Sequence, residues 1–285
     1  MSTLITKIHW NLHNYCSAKC TYCPSHFWNG EKNRSIEQYL EKFKLLIDHF
    51  ESLKYSINWV FDGGEPLEID GFVKILKTCK DHKGHITLNT NGGYQWLDWW
   101  AIEPNVDQIN LTYHYWQNPN LIKYIIQTFQ KNNKNINVIK PIRPDFFDID
   151  LNQAESLENE LDIKVNKIEL YKEASQTVGI YQYTKEQLFR LRGQQLVDDI
   201  EHLENTTFSQ RFEEQIKINP SFTGKLCNTG IERLFISYNG WVSGSACNNT
   251  HLGNIWNDLN FPTQASICKM LACVNSDDQQ ITKFA

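Results

Sequence analysis

Apolar residues recur along the chain with two periods, and the places where the period changes mark its elements. Ile5 to Leu12 alternates and reads as a first strand. Beyond a cysteine-containing loop, Ile36, Tyr39, Leu40, Phe43, Leu46, Ile47, Phe50 and Leu53 fall on one helical stripe. A second strand is predicted over Ser56 to Phe61. A helix follows in which Phe72, Ile75, Leu76 and Cys79 share a face, then a strand from His85 to Leu88 and a short Trp-rich helix near Leu97 to Ile102. Strand four is Gln108 to Tyr115, Pro119 opens a helix that runs through Phe129, Ile136 to Ile142 is strand five, Leu151 to Leu161 a helix, and Val165 to Tyr171 strand six.

Six strand-helix alternations argue an α/β fold with a parallel sheet and right-handed crossovers, curved into a partial (β/α)6 TIM-type barrel. In such folds the chemistry gathers on loops that follow the C-terminal strand ends. The first cysteines, Gly63-Gly64-Glu65-Pro66 and Asn89-Thr90-Asn91-Gly92-Gly93 all fall there. Residues 184 to 217 are polar, helix-like and without a motif. After Cys227, the segments Ile231 to Tyr238 and Trp241 to Ala246 flank Asn239-Gly240, a hairpin signal, and a short helix is expected after Phe261-Pro262. The predicted organisation is a barrel over 1–180, a helical connector over 181–222 and a small hairpin-plus-helix domain over 223–285.

Composition narrows the function more than the fold. The 285 residues are 41% hydrophobic and 21% charged, and a mean hydropathy of −0.50 with scattered charge speaks against membrane spans. A net charge of −5 gives no general attraction to nucleic acid. The first ten residues carry no basic leader and apolar core, so a cytoplasmic location with reduced thiols is expected. Eight cysteines are then the unusual feature, because clustered thiols in a reducing compartment point to metal or catalysis. Cys79, on the apolar stripe of its helix, reads as a core residue.

Cys16-x3-Cys20-x2-Cys23 supplies three soft ligands within eight residues, suited to iron-sulfide or zinc. A structural zinc site is closed by four ligands, and His13 or His26 could complete one here. On a four-iron cluster, three thiolates leave one iron open to a reagent. Alternatively, the cysteines merely share a helical face.

With Tyr22 before the last cysteine and Gly63 to Pro66 after the second strand, Cys16-Ser-Ala-Lys-Cys20-Thr-Tyr22-Cys23 resembles the signature of the radical S-adenosylmethionine (radical SAM) superfamily. Gly63, Gly64, Glu65 and Pro66 resemble its amino-group-binding motif, and the similarity covers about residues 5 to 175. The resemblance implies that Cys16, Cys20 and Cys23 ligate a [4Fe-4S] cluster whose fourth iron chelates S-adenosylmethionine. One electron from the cluster would then release methionine and a 5′-deoxyadenosyl radical that abstracts a substrate hydrogen. Glu65 and backbone carbonyls freed by the glycines can accept from the cofactor amine, and Tyr22 offers backbone contacts or a stacking face to adenine. Asn89 and Asn91 sit where the family contacts ribose, although Asn-Gly is also a turn signal.

Cys227-x19-Cys247-x20-Cys268-x4-Cys273 provides four thiolates, enough to close a second site. The tail resembles the twitch domain, the shortened SPASM extension, which implies an auxiliary [4Fe-4S] cluster able to take an electron in an oxidation. A zinc knuckle is the alternative. At the barrel mouth, His114 and Tyr115, Lys140 and Arg143, and Glu169, Tyr171 and Lys172 are the candidates to anchor a substrate or move its proton. The leading expectation is a radical SAM oxidoreductase for a small metabolite or a peptide, fed by flavodoxin or ferredoxin. A cysteine motif that begins at residue 16 leans toward the small metabolite. A nucleobase- or tRNA-directed radical enzyme, which the acidic charge disfavours, and a non-catalytic zinc or iron-sulfur scaffold are the other readings.

Overall fold

The computed structural model describes residues 4–23, 25–27, 30–32, 34–93, 98–172, 179–180, 183–192, 213, 216–247, 250–273 and 275–284. Six parallel strands follow one another in space as in sequence: β1 (Leu4–Asn11), β2 (Tyr55–Asp62), β3 (His85–Thr90), β4 (Gln108–Thr112), β5 (Asn135–Ile142) and β6 (Val165–Glu169). They pair in register from Lys7 opposite Asn58 to Lys140 opposite Lys167. Between them run helices α1 (Ile36–Ser52), α2 (Phe72–Asp81), α3 (Trp99–Ile102), α4 (Pro119–Lys131) and α5 (Phe147–Leu161). This is the expected α/β architecture, an open run of parallel strands with helical crossovers.

The helices form where stripe and cap agree. Ser35 starts α1 with a reciprocal capping box to Gln38, and Tyr39, Phe43, Leu46, Ile47 and Phe50 are the face it buries. Each such side chain contributes roughly 1.5–3 kcal/mol on leaving water. Cys79 is fully buried on α2 and belongs to the main core with Trp10, Phe43, Trp59 and Phe61, as its stripe predicts. The strand residues of the helix side, such as Ile57, Trp59 and Phe61, are buried, while Asn58, Val60 and Asp62 on the other side stay half-exposed.

Several boundaries differ from the sequence expectation. β4 stops at Thr112, three residues before Tyr115, because the chain turns through His114 and Gln117 to reach α4. β6 ends at Glu169, and the next strand, β7 (Tyr171–Lys172), pairs instead with β8 (Gly179–Ile180). α5 begins at Phe147, one turn early, with Asp148 and Asp150 favouring its positive N-terminal end. Of the connector, α6 (Lys185–Arg192) is helical as expected, and 193–212 lie outside the described residues.

The C-terminal segment does not stand apart from the barrel sheet. Following β9 (Leu226–Cys227), β10 (Arg233–Ile236) lies parallel to β1 and is joined antiparallel by β11 (Trp241–Ser243) and β12 (His251–Asn254), giving one nine-stranded sheet. The hairpin at Asn239-Gly240 is as predicted, with Gly240 at φ 88°. No helix follows Phe261-Pro262. The chain there turns and forms β13 (Ser266–Ile267), which pairs with β9, as does β14 (Lys283–Phe284). The helix of this region is α7 (Ser276–Gln279), started by the Asn275 side chain on the amides of Asp277 and Asp278.

Candidate metal centres

The loop after β1 carries Cys16, Cys20 and Cys23, and its shape is set from below by the Gly-Gly-Glu-Pro run after β2. The Gly64 amide donates to His13 O (2.6 Å) and the Glu65 amide to Tyr15 O (2.9 Å). Neither glycine tolerates a side chain: a Cβ on Gly63 would stand 2.5 Å from His13 O, and one on Gly64 1.8 Å from Tyr15 O. The glycines thus let this run approach the protein's own loop at 13–15 closely. His13 returns the contact with Nε2 on Glu65 O (3.0 Å), and burial lowers its pKa to about 4.

The Glu65 side chain is consumed internally. It is 1% exposed and accepts from Thr90 Oγ1 (2.5 Å), the Leu67 amide (3.1 Å) and the Asn91 amide (2.8 Å). Burial raises its pKa to about 7 against the pull of those three donors. The side chain holds the loop after β3, with two of the three donors on Oε1 and the Asn91 amide on Oε2. Glu68, which the sequence reading passed over, does the same for the cysteine loop, accepting from the Ser17 amide (3.0 Å) and hydroxyl (2.8 Å).

Around the three thiols stand N–H donors brought by other strands. Asn91 Nδ2 reaches Cys16 Sγ at 3.7 Å. Cys20 Sγ receives Trp116 Nε1 at 3.3 Å and lies 3.7 Å from His114 Nδ1. His114 is stacked between Trp116 and Tyr22, whose hydroxyl is 2.5 Å from the same ring nitrogen. A hydrogen bond from Cys23 and the His114 and Trp116 donors hold the Cys20 thiol down at about 4 against the desolvation that raises it. Desolvation pushes Cys16 up to about 11, and the bond given to Cys20 pushes Cys23 up. Trp116 was not foreseen, since nothing in its sequence neighbourhood marks it.

The strand-end candidates separate by face. Arg143 pairs bidentately with Asp150 of α5, Nε to Oδ2 at 2.8 Å and Nη2 to Oδ1 at 2.9 Å, and lies 3.9 Å over the Tyr115 ring. It sits near enough to Tyr22 that the phenol and guanidinium affect each other. Lys140 does not reach the mouth. It shares the face of Val138 and Ile142, is fully buried, and binds Gln153 Oε1 (2.7 Å) and Asp150 Oδ1 (3.6 Å) in the helix layer. Burial lowers its pKa to about 8 despite Asp150. Glu169 shares its side of β6 with Lys167, whose ammonium bonds Glu158 of α5, so it too is buried toward the helices. The side chains of Tyr171 and Lys172 lie outside the described residues.

On the sheet face away from the helices, carboxamides run from strand to strand. Asn166 donates to Asn137, Asn137 to Asn110 (3.3 Å), Asn110 to Asn89 (2.6 Å) and Asn89 to Asp62 (3.2 Å). Asp62 ends the row 3.4 Å from His9 of β1. Asn89 is thus one member of a polar wall across β2 to β6, which alternation forecast only as half-exposed positions.

The C-terminal cysteines are brought together. Cys227 senses the charges of Cys268 and Cys247, and Cys273 those of Cys247 and Cys227, while Lys283 lowers both against the burial that raises them. β9 and β13 pair to carry Cys227 and Cys268, and the Cys273 amide is tied to Pro220 O (2.9 Å). None of the eight cysteines is in a disulfide. Among the described residues no three His, Cys, Asp or Glu side chains converge on a single metal ion. The donor sets, three and four free thiols with N–H or cationic neighbours, fit iron-sulfur ligation.

Residues 10–139 match the model of the Radical SAM superfamily. No curated protein matches the chain. Its fold is similar to that of anSMEcpe with bound AdoMet and Cp18Cys peptide (TM-score 0.55, 15% identity, covering 89% of this chain and 78% of that one). It is similar also to Streptococcus suis SuiB bound to precursor peptide SuiA (TM-score 0.53, 16% identity, 90% of this chain and 63% of that one). At such identity the likeness concerns the fold. No helix among the described residues is long and apolar enough to cross a membrane.

Proposed function

We propose that the chain, whose residues 10–139 match the Radical SAM superfamily model, is an enzyme that cleaves S-adenosylmethionine reductively and oxidises a polar small metabolite or peptide. Cys16, Cys20 and Cys23 would hold a [4Fe-4S] cluster with one open iron. The observation that carries this reading is the set of N–H groups aimed at these sulfurs, from Asn91 to Cys16 and from Trp116 to Cys20. Such donors offset the negative charge that thiolates bring to a cluster and tune its potential.

When bound, the cluster and S-adenosylmethionine supply one electron and a 5′-deoxyadenosyl radical that takes a hydrogen atom from substrate. The chain's own residues position the partners. The Gly63-Gly64 crossing fixes the cysteine loop, and Tyr22 and His114 present a stacked aromatic pair beside it. Arg143, whose pair with Asp150 uses Nε and Nη2, keeps the Nη1 edge for a carboxylate. The wall from Asp62 to Asn166 gives the substrate amide donors and acceptors, which suits a polar, hydrogen-bonding molecule. Peptides enter the substrate class because anSMEcpe and SuiB of similar fold are seen with peptides.

Cys227, Cys247, Cys268 and Cys273 would hold an auxiliary [4Fe-4S] cluster, fully ligated and so suited to accept the second electron of an oxidation. In this reading 1–180 is the barrel, 181–222 the connector and 223–285 a twitch-like cluster-binding extension that shares the barrel's sheet. A flavodoxin or ferredoxin in the cytoplasm would supply the first electron.

The test is anaerobic reconstitution with iron and sulfide, followed by dithionite and S-adenosylmethionine and chromatographic detection of 5′-deoxyadenosine and methionine. Both products are expected, with about eight irons per chain. Tightly held zinc with no cleavage would sink the proposal.

A further inference from the structure

Cys247, like Cys273, lies on no strand, but the Cys273 amide is tied to Pro220 O at 2.9 Å. Seven positions separate Cys247 from Gly240 at the hairpin turn, and β11 has already ended at Ser243 after a register shift between Val242 and Ser243. The chain leaves the sheet at Gly244, packed so tightly that a Cβ would meet Thr229 Oγ1 at 2.5 Å and the Gly230 amide at 2.6 Å. Cys227 and Cys268, by contrast, are anchored by the pairing of β9 with β13.

What catches the loose end is a carboxylate from the other side of the site. Asp278 of α7 is 1% exposed. Its Oδ2 accepts from the Cys247 amide at 2.8 Å and its Oδ1 from the Ala246 amide at 3.3 Å. Asp278 also lies close enough to Cys273 to affect its thiol. One side chain therefore bridges the segment after Cys273 and the segment that presents Cys247.

A buried carboxylate needs a cation, because an uncompensated charge out of water is strongly unfavourable. Arg233 of β10, 4% exposed, supplies it: Nη1 is 3.1 Å from Asp278 Oδ1, and Nη2 is 3.2 Å from Asp277 Oδ2. Lys7 of β1, opposite Arg233 in the parallel register, holds Asp277 at 2.9 Å. The latch thus rests on the strand pair that joins the extension to the barrel, on the face away from the helices.

We propose that Asp278, neutralised by Arg233, is the positioning residue that brings Cys247 to the C-terminal cysteine site and so completes its four thiols. This rests on the auxiliary-cluster reading above. Without the carboxylate, the Ser245–Cys247 turn has no tie to α7, and the site reverts to three anchored thiols.

The experiment compares full-length wild type, Asp278→Ala, Asp278→Asn and Cys247→Ala after anaerobic reconstitution, by iron and sulfide content, electron paramagnetic resonance of the reduced protein, and thermal unfolding by circular dichroism. Asp278→Ala should match Cys247→Ala: iron falls from about eight to about four, and one cluster signal is lost. Asp278→Asn fills the same space with one acceptor oxygen and no charge, and should keep a shifted auxiliary signal. Full iron with a wild-type spectrum in Asp278→Ala overturns the inference. Should that variant fail to fold, an unshifted auxiliary signal in Asp278→Asn overturns it instead. About four irons in wild type itself would overturn the auxiliary-cluster reading, and the inference with it.

Discussion

The two cysteine sites solve the same problem, gathering thiols, in opposite ways. Cys16, Cys20 and Cys23 lie on one loop, and the rest of the fold comes to them: Asn91 from the end of β3, His114 and Trp116 from the turn after β4, and the Gly63-Gly64 crossing from β2. Cys227, Cys247, Cys268 and Cys273 lie far apart in sequence: strand pairing sets Cys227 and the segment before Cys268 together, Asp278 accepts from the Cys247 amide, and Pro220 O accepts from the Cys273 amide. The difference is one of what the ligands depend on. The first set of thiols is local and its surroundings distant, whereas the second set comes together only once the tertiary fold has formed. On the proposed reading, a contiguous site with three thiols would stay open for a reagent, and a dispersed one with four would be closed.

The largest expected effects separate the two sites by removing ligands. Cys20→Ala should abolish S-adenosylmethionine cleavage, a loss of more than about 100-fold by product chromatography, and about half the iron. Cys227→Ala should lose a similar share of iron yet keep cleavage, measured the same way; a parallel loss of cleavage would mean that the sites are not independent. Next comes the scaffold of the first site. Gly64→Ala, which drives a methyl into Tyr15 O, should destabilise the fold by about 2–4 kcal/mol in urea unfolding, while Gly224→Ala, where a Cβ meets nothing within 4 Å but φ is +82°, should cost about 1 kcal/mol.

Smaller still is the loss of one donor. Trp116→Phe removes an N–H bond to Cys20 Sγ, and because that bond favours the more negative reduced cluster, a redox titration should show the potential lower by on the order of 50 mV. The smallest effect lies outside both sites. Lys140, buried against Asp150, has its pKa lowered to about 8 from 10.5, so the unfolded chain binds more protons between those values and stability rises with pH across that window. Against Lys140→Met, wild-type stability should climb from pH 8 to 10.5 and lose that contribution as pH falls through 8. Parallel curves would show that Lys140 keeps its ordinary value.

The sequence carried the first site because its ligands are neighbours in the chain, and the alternation of Ile57, Trp59 and Phe61 with Asn58 and Asp62 carried the sheet. It did not carry the direction of side chains at strand ends. Lys140 was expected at the mouth, but two residues along from Val138 it must face the helices as Val138 does, and polarity alone hid that parity. Nor did the sequence carry the bonds that the Glu65 carboxylate accepts from Thr90, Leu67 and Asn91, partners set by a crossover that no local pattern records. The absent helix after Phe261-Pro262 has the same origin: Ser266 and Ile267 pair with Cys227 and Leu226, and long-range pairing overrode the local signal.

If the first site is open and the second closed, a reagent that binds only an open iron distinguishes them. Electron paramagnetic resonance of the anaerobically reconstituted, reduced protein should be recorded with and without S-adenosylmethionine. Two cluster signals are expected, of which the one lost in Cys20→Ala shifts on addition and the one lost in Cys227→Ala does not. An open first site and a closed second one would be contradicted if neither signal moved, or if the signal held by the C-terminal cysteines were the one to respond.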